Sequence, residues 1–414
     1  MSPSKSWYKR RAYPHFDNEV NSSSARNYVE NSSKVSSHSF FPFIRYIKKQ
    51  KKYRSTKGKT EEKERPICYS SHLDSHIYAY YSSILSKLYE AEIERLGLSE
   101  NIIAYRSLGK SNIDFANIAF EQVERLAPCM TIALDIVDFF GTLDHRMLYK
   151  TWCMILGENR LPTDHYKIFR SITNYAYVDR DELFEVLNLS PQEIEPYSRL
   201  CSITEFREKV RSGNLIRKNN QKQGIPQGSP ISAFLSNLFM LQFDQFMAEQ
   251  ATLLQSVYLR YSDDILLIVP QKDAALFVDR AKSKLSEIML EVNDEKTEES
   301  CFQYIDGDLV GQPILRYLGF TFDGQRKLVR GRTLSRYFQK VKYGVRKASE
   351  NAANNPTDKR VYRRALYQRY THLGKQNFIS YVYRAAEKMQ SRELRGQVKK
   401  HWKFLHKELE KNKP

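Results

Sequence analysis

The sequence predicts an α+β fold, with helices and short strands mixed through most of the chain and helices alone at its C-terminal end. Three observations carry this. The apolar runs at 257–261 and 265–270 are separated only by Ser262, Asp263 and Asp264, which reads as a tight β-hairpin. Several other stretches space their apolar residues at helical intervals. Beyond Arg326 the strand-like runs give way to basic, helix-periodic segments. A chain of 414 residues can bury a sizeable core and hold two or three packed subdomains.

Taken in order, residues 21–39 are rich in Ser and Asn and are expected to be loop or unordered chain. Residues 45–59 (RYIKKQKKYRSTKGK) read either as a solvated, flexible charge run or as an arm that contacts phosphates. Ile77, Tyr81, Ile84, Leu85 and Leu88 predict a helix over 77–96 that ends at Gly97. A second amphipathic helix is expected over 113–126. The apolar run 130–134 reads as a buried strand that stops at Asp135. Residues 175–220 mix acidic and basic side chains, and no mechanism is assigned to them. A strongly apolar helix follows over 232–249, then the hairpin, a helix over 274–289 and a strand over 315–322 closed by Asp323 and Gly324. Helical segments at about 333–353, 357–373 and 377–410 complete the chain, the last broken near Ser391. Leu394, Val398, Leu405 and Leu409 lie along one stripe of it.

The formal net charge is +18, which favours a polyanionic partner, nucleic acid first and an anionic membrane second. No apolar stretch of about 18 residues is present, so no membrane span is expected. Residues 1–11 are polar and basic, without the apolar segment of a signal peptide. The five cysteines, Cys68, Cys129, Cys153, Cys201 and Cys301, form no C-x-x-C pair. They suit a reducing, cytoplasmic location and small buried packing roles.

Asp135 ends one predicted strand, and Asp263 and Asp264 sit at the hairpin tip. An Asp-Asp pair in a turn is often only local hydrogen-bonding chemistry. Apolar strands, however, place these carboxylates at the edge of a buried sheet, where charge is costly unless paired or metal-bound. Carboxylates at strand ends can hold the two divalent cations that nucleotidyl transfer uses, and Mg2+ favours such donors.

The ordered series of motifs resembles that of reverse transcriptases, particularly the bacterial branch of group II intron, retron and phage-defence enzymes. Lys63-Glu64-Arg65-Pro66-Ile67 resembles a fingers motif, and Ala104-Tyr105-Arg106 with Gly109-Lys110-Ser111-Asn112 the next one. The run from Ala133 to Phe140 (ALDIVDFF) resembles the first palm motif, and that from Gln223 to Ser232 (QGIPQGSPIS) the second. Tyr261-Ser262-Asp263-Asp264 matches the Y-x-D-D third motif, with Ser where Ala is commoner. Asn293 with Glu295-Lys296-Thr297 resembles the fourth, and Leu318-Gly319-Phe320 the primer grip.

The resemblance implies a right-hand polymerase: fingers, a palm of antiparallel sheet plus helices, and an all-helical basic thumb. It implies an N-terminal extension over 1–60, fingers and palm over 61–325, and thumb over 326–414. It implies two Mg2+ ions, with Mn2+ as the alternative, on Asp135, Asp263, Asp264 and the Ile136 carbonyl. Lys63 and Arg65 would bind the triphosphate, and Gln227 and Gly228 would lie against the nascent base pair. Asp138 and Phe140 would border the incoming nucleotide, and Lys296 would protonate pyrophosphate. Phe140, five residues after Asp135, stands where these enzymes keep an aromatic ring beneath C2′, which selects dNTPs. Phe139 and Phe140 cannot both be core if neighbouring residues face opposite sides.

The expected function is RNA-directed DNA synthesis on a dedicated structured non-coding RNA in bacterial anti-phage defence. The wording of the second fingers motif is the basis for the defence assignment. Two further readings stay open: untemplated or protein-primed DNA synthesis, with 27 tyrosines as candidate acceptors, and an RNA-binding maturase or chaperone. No stretch after the expected thumb accommodates a ribonuclease H or zinc-bearing endonuclease domain, so self-contained intron mobility is not expected. The long 175–220 stretch between the first and second palm motifs is expected to be an insertion that shapes template or partner binding.

Overall fold

The computed structural model describes residues 7–54, 59–190, 194–195, 198–357 and 359–413. Two short helices open it, α1 (Ser22–Val29) and α2 (Ser32–Ser36). This corrects the expectation of unordered chain over 21–39. Asn21 and Asn31 cap the two helices through their side-chain oxygens, and Ala25, Val29 and Val35 are buried. Part of the basic run is also more ordered than a flexible arm: strand β1 (Phe43–Arg54) pairs antiparallel with β2 (Lys59–Tyr69), Ile44 opposite Tyr69. The expected boundary at residue 60 therefore falls inside this hairpin. Residues 55–58 of the run lie outside the described residues.

Helix α3 (His72–Arg95) follows, then α4 (Asn112–Leu126), opened by a capping box between Ser111 and Asp114. Strand β3 (Cys129–Asp135) ends at the expected aspartate. After α5 (Phe139–Thr142), α6 (His145–Leu156) and α7 (Thr163–Thr173), strand β4 (Ala176–Asp179) joins β1 in parallel. Helices α8 (Arg180–Val186) and α9 (Ile203–Glu205), a π-helical turn at Phe206–Arg211 and strand β5 (Arg217–Lys218) occupy the 175–220 stretch. The expected helix over 232–249 divides at Met240 into α10 (Ser232–Phe239) and α11 (Leu241–Leu253).

Strands β6 (Val257–Tyr261) and β7 (Asp264–Val269) form the hairpin, followed by α12 (Ala274–Glu287). Strands β8 (Glu298–Ile305) and β9 (Asp308–Gln312) come next; the sequence reading gave neither. The expected strand over 315–322 is two strands, β10 (Leu315–Tyr317) and β11 (Phe320–Phe322). Leu318 and Gly319, with φ of 45° and 93°, reverse the chain between them, and β12 (Lys327–Val329) completes the small sheet. The C-terminal helices are α13 (Gly331–Ala353), α14 (Arg363–Tyr370), α15 (Phe378–Lys388), α16 (Arg392–Val398) and α17 (His401–Lys411).

The central sheet runs β6-β7-β3-β8-β9, antiparallel throughout. Its alternation divides the interior in two. Ile265, Leu267, Val269, Ile132 and Leu134 face one core, shared with α3, α6, α7, α10, α11 and α12. Leu259, Leu266 and Ile268 face a second core, shared with α4 and the C-terminal helices. Both faces of β7 are thus covered, which is why it reads as an unbroken apolar run. A small third core gathers Phe16, Ile44, Val178 and Phe206 beside β1 and β4.

Candidate active site

The pairing of β3 with β7 sets Asp135 directly opposite Asp264, and β6 sets Tyr261 opposite the same residue. Ser262 and Asp263 form the two-residue loop. Ser262 takes φ of 62°, the positive value that the first position of a type II′ turn demands. The three aspartates singled out in the sequence therefore meet at one end of the central sheet.

Beneath the turn lies a buried polar network that the sequence reading missed. Arg260 and Asp244 are both fully buried and form a two-pronged ion pair, Nε to Oδ1 at 2.6 Å and Nη2 to Oδ2 at 2.5 Å. Arg260 Nη1 donates to Asn237 Oδ1 and to the Ser262 carbonyl, each at 3.1 Å, and Tyr258 donates to Asp244 at 2.5 Å. Ser262 Oγ donates to Tyr105 Oη at 3.1 Å. The available signal was Arg260 itself, a charge inside a strand of apolar and aromatic neighbours. Arg106, from the same fingers motif as Tyr105, binds Glu90 and the Ser99 and Ile102 carbonyls.

The carboxylates crowd one another. The Asp264 carboxyl is pushed up to about 6, first by desolvation and then by the charges of Asp263 and Asp135, with Arg330 and Lys296 opposing. Lys296 Nζ forms an ion pair with Asp135. That contact is held in place by backbone: Asn293 N–H donates to the Asp135 carbonyl at 2.8 Å, Lys296 N–H to Asn293 at 2.9 Å, and Ile136 bridges Val292. Lys296 is thus a partner of the site and not a free surface lysine.

A divalent cation fits this donor set in its chemistry. The donors are hard carboxylate oxygens, and Asp263 and Asp135 lie near enough to raise the Asp264 carboxyl, so negative charge is in excess there. Tyr317 Oη, buried close enough to feel the charge of Asp264, has no hydrogen-bond partner among the described residues. The side chains are not drawn into one cluster: among the described residues no three His, Cys, Asp or Glu are grouped to hold an ion, and Asp135 is turned to Lys296.

The second palm motif is fastened on both sides. Gly224 N–H donates to the Leu143 carbonyl and Ile225 N–H to the Phe140 carbonyl, at 2.8 and 2.9 Å. Cys68 N–H donates to the Gln227 carbonyl at 2.8 Å. Gly228 has φ of 114°, and a Cβ there would lie 2.5 Å from the Cys68 carbonyl, so no other residue fits without a shift. Asp138, exposed and left-handed with φ of 40°, turns the chain from β3 into α5. Phe139 is buried in the first core, and the half-buried Phe140 packs against that same core, so the expectation that the two would face opposite sides is not met. Lys63 and Arg65 stand exposed on β2 just before Ile67 and Cys68. Among the described residues no ion pair ties either of them to the three aspartates.

A family model described as Reverse transcriptase (RNA-dependent DNA polymerase) matches residues 47–322, more than half of the chain. No curated protein matches it. Among solved structures, apo telomerase from Candida Tropicalis is similar at 11% identity and a TM-score of 0.45, covering 93% of this chain and 62% of that one. Telomerase from Candida albicans in complex with the TWJ fragment of telomeric RNA is similar at 14% identity and a TM-score of 0.43, covering 91% and 65%. The chain thus spans less than two thirds of the length of these structures. With one end of the central sheet bearing Asp135, Asp263 and Asp264, and a family match that runs from β1 to β11, the chain belongs to the reverse transcriptase family.

Proposed function

We propose that this protein is an RNA-directed DNA polymerase that copies a dedicated, structured non-coding RNA in bacterial anti-phage defence, in the cytoplasm. The observation that carries the polymerase reading is the cross-strand pairing of Asp135 with Asp264 beside the Asp263 turn. The defence role and the kind of template rest on the wording of the Ala104–Asn112 motif, where Asn112 also joins the Leu318 carbonyl and Tyr381 Oη to α4. Among the described residues no helix is long and apolar enough to cross a membrane. The division into extension (1–60), fingers and palm (61–325) and thumb (326–414) is part of this reading.

Asp135, Asp263, Asp264 and the Ile136 carbonyl would hold two Mg2+ ions, or Mn2+, which when bound activate the primer hydroxyl and stabilise departing pyrophosphate. Lys63 and Arg65, on the exposed strand that runs to Cys68, bind the triphosphate of the dNTP. The Gln227–Gly228 segment, pinned to β2 by the Cys68 N–H, would lie against the nascent base pair. Phe140 and Asp138 would border the incoming nucleotide, the Phe140 ring excluding a 2′ hydroxyl. Lys296 Nζ, held beside Asp135, supplies a proton to pyrophosphate.

The test is primer extension on an RNA template with dNTPs and, separately, NTPs. Asp263→Ala should lower the rate by at least about a thousandfold, the several kcal/mol that metal charge stabilisation contributes. Phe140→Val should raise ribonucleotide incorporation relative to wild type. Retained extension by Asp263→Ala overturns the reading. DNA of random sequence covalently attached to the protein would replace it with untemplated synthesis.

A further inference from the structure

The 175–220 stretch is not used by the chemistry above, yet it builds a distinctive cavity. Between β4, β5 and the π-helical turn lies a pocket of about 580 Å³. Four cations line it, Arg199, Arg207, Arg211 and Lys218, and among the described residues no carboxylate does. The neighbouring acid Glu205 is already engaged by Ser202 N–H and Lys209 Nζ. The walls are apolar: Phe41, Phe206, Ile203 and Ile216 contribute, and Ile203 is 52% exposed. The Arg211 guanidinium sits 5.8 Å from the centre of the Phe206 ring.

Four cations around an apolar, aromatic hollow call for a ligand with phosphate on one side and a flat apolar body on the other. The volume lies within the range of small-molecule sites and accommodates a nucleotide. Its place in the fold says which nucleotide. Ala176 and Lys218 belong to the sheet whose β2 strand carries Lys63 and Arg65. From Lys218 the chain leads through Asn219, whose Nδ2 donates to the Gln223 carbonyl at 3.0 Å, into the Gln227–Gly228 peptide.

We propose that this pocket seats one nucleotide of a single-stranded RNA segment, its base against Phe41, Ile203 and Ile216 and its phosphates on Arg207, Arg211 and Lys218. The inference rests on the RNA-directed reading and gives the 175–220 stretch its role, which is to hold template RNA outside the catalytic centre.

The test is fluorescence anisotropy of a labelled, unstructured 20-nucleotide RNA with the full chain, without metal or dNTP. Success or failure here is therefore independent of primer extension. The exposed triple R207E/R211E/K218E should weaken binding about tenfold and flatten the dependence of log affinity on log salt by about two to three units. A control triple of equal charge change on exposed cations elsewhere, K87E/R125E/K272E, should weaken it less than about twofold. Ile203→Ser should weaken binding and leave the salt slope unchanged. Equal effects of the two triples, or none from the first, overturn the proposal, as does an inert Ile203→Ser. Displacement of the RNA by micromolar adenosine monophosphate would reassign the pocket to free nucleotides. Displacement by polyglutamate at equal charge would reassign it to acidic protein.

Discussion

Arg260 carries its charge into a strand whose neighbours are apolar, and the energetics of that position follow from who meets it there. Burial works against the guanidinium, and the Asp244 carboxylate more than offsets it, so Arg260 stays firmly protonated. Replacing one partner leaves the other charged and unpaired. Asp244→Asn or Arg260→Met should therefore cost about 3–5 kcal/mol in urea unfolding. Arg260→Lys keeps the charge but lacks the fork that reaches Asn237 and the Ser262 carbonyl together. Its expected signature is a higher Mg2+ requirement for extension than a variant of equal stability loss at the buried His38–Asp74 pair shows. Equal Mg2+ dependence in the two would make Arg260 purely structural. A different residue governs pH. His15 is fully buried; its Nδ1 accepts the Phe16 N–H, and its other nitrogen faces the Tyr69 carbonyl. Desolvation, then the charge of His72, lower its pKa to about 3, and burial likewise lowers His76 to about 4. Below about pH 6.5 the unfolded chain takes up protons that the folded chain refuses, so stability falls as pH drops from there toward 4. The slope is about 1.4 kcal/mol per pH unit for each fully developed proton difference. Urea midpoints measured from pH 7 to pH 5 should fall, and His15→Gln should flatten the decline.

Elements show where the sequence was legible and where tertiary partners decided. The β6–β7 hairpin, β3 with its terminal aspartate, α3 and α4 carried their own periodicity and punctuation, and the structure has them at nearly the expected bounds except that α3 already opens at His72. Strand β8 did not show, because its burial is irregular: Ser300 and Phe302 are buried while Gln303, Tyr304 and Ile305 are exposed. Its place beside β3 is set by the sheet and not by a local pattern. The split at Leu318 needed two successive positive φ values, one of them on a leucine, which composition does not announce. The site behaved alike: the three aspartates and Lys296 sat in readable motifs, while Arg260, Asp244 and Asn237 are joined only by folding. The N-terminal segment holds a further link that only folding makes. Asp17 reaches the start of α3, one oxygen accepting from His72 N–H and the other from Leu73 N–H, each at 2.9 Å. Ser71, the local cap, bonds at only 3.4 Å. Asp17→Ala should thus destabilise the protein by about 1–2 kcal/mol, as loss of a strong cap does. An unchanged melting temperature would show that Ser71 suffices.

At the scale of the whole molecule, the central sheet is the common wall of two cores. The C-terminal helices complete the second one: Val341, Val345, Ile379, Val382 and Leu405 are fully buried in the same cluster as Leu266 and Ile268. A chain ending at residue 330 should leave that face of the sheet open to water. It should express as aggregate or as a compact state that binds hydrophobic dye, and not as a soluble polymerase lacking a thumb. A cooperative near-ultraviolet melt of such a truncated chain would overturn this.

The ladder that pairs Asp135 with Asp264 also fixes, strand by strand, which residues enter which core. Because the side-chain period is two, the pairing has one workable frame. A substitution in β3 alters a single position of it. Deleting one residue from β3 moves the whole strand one step: Ile132 and Leu134 turn toward the other core, and the carboxylate loses its place opposite Asp264. The palm strands of this chain can therefore change their letters one at a time, but not their lengths.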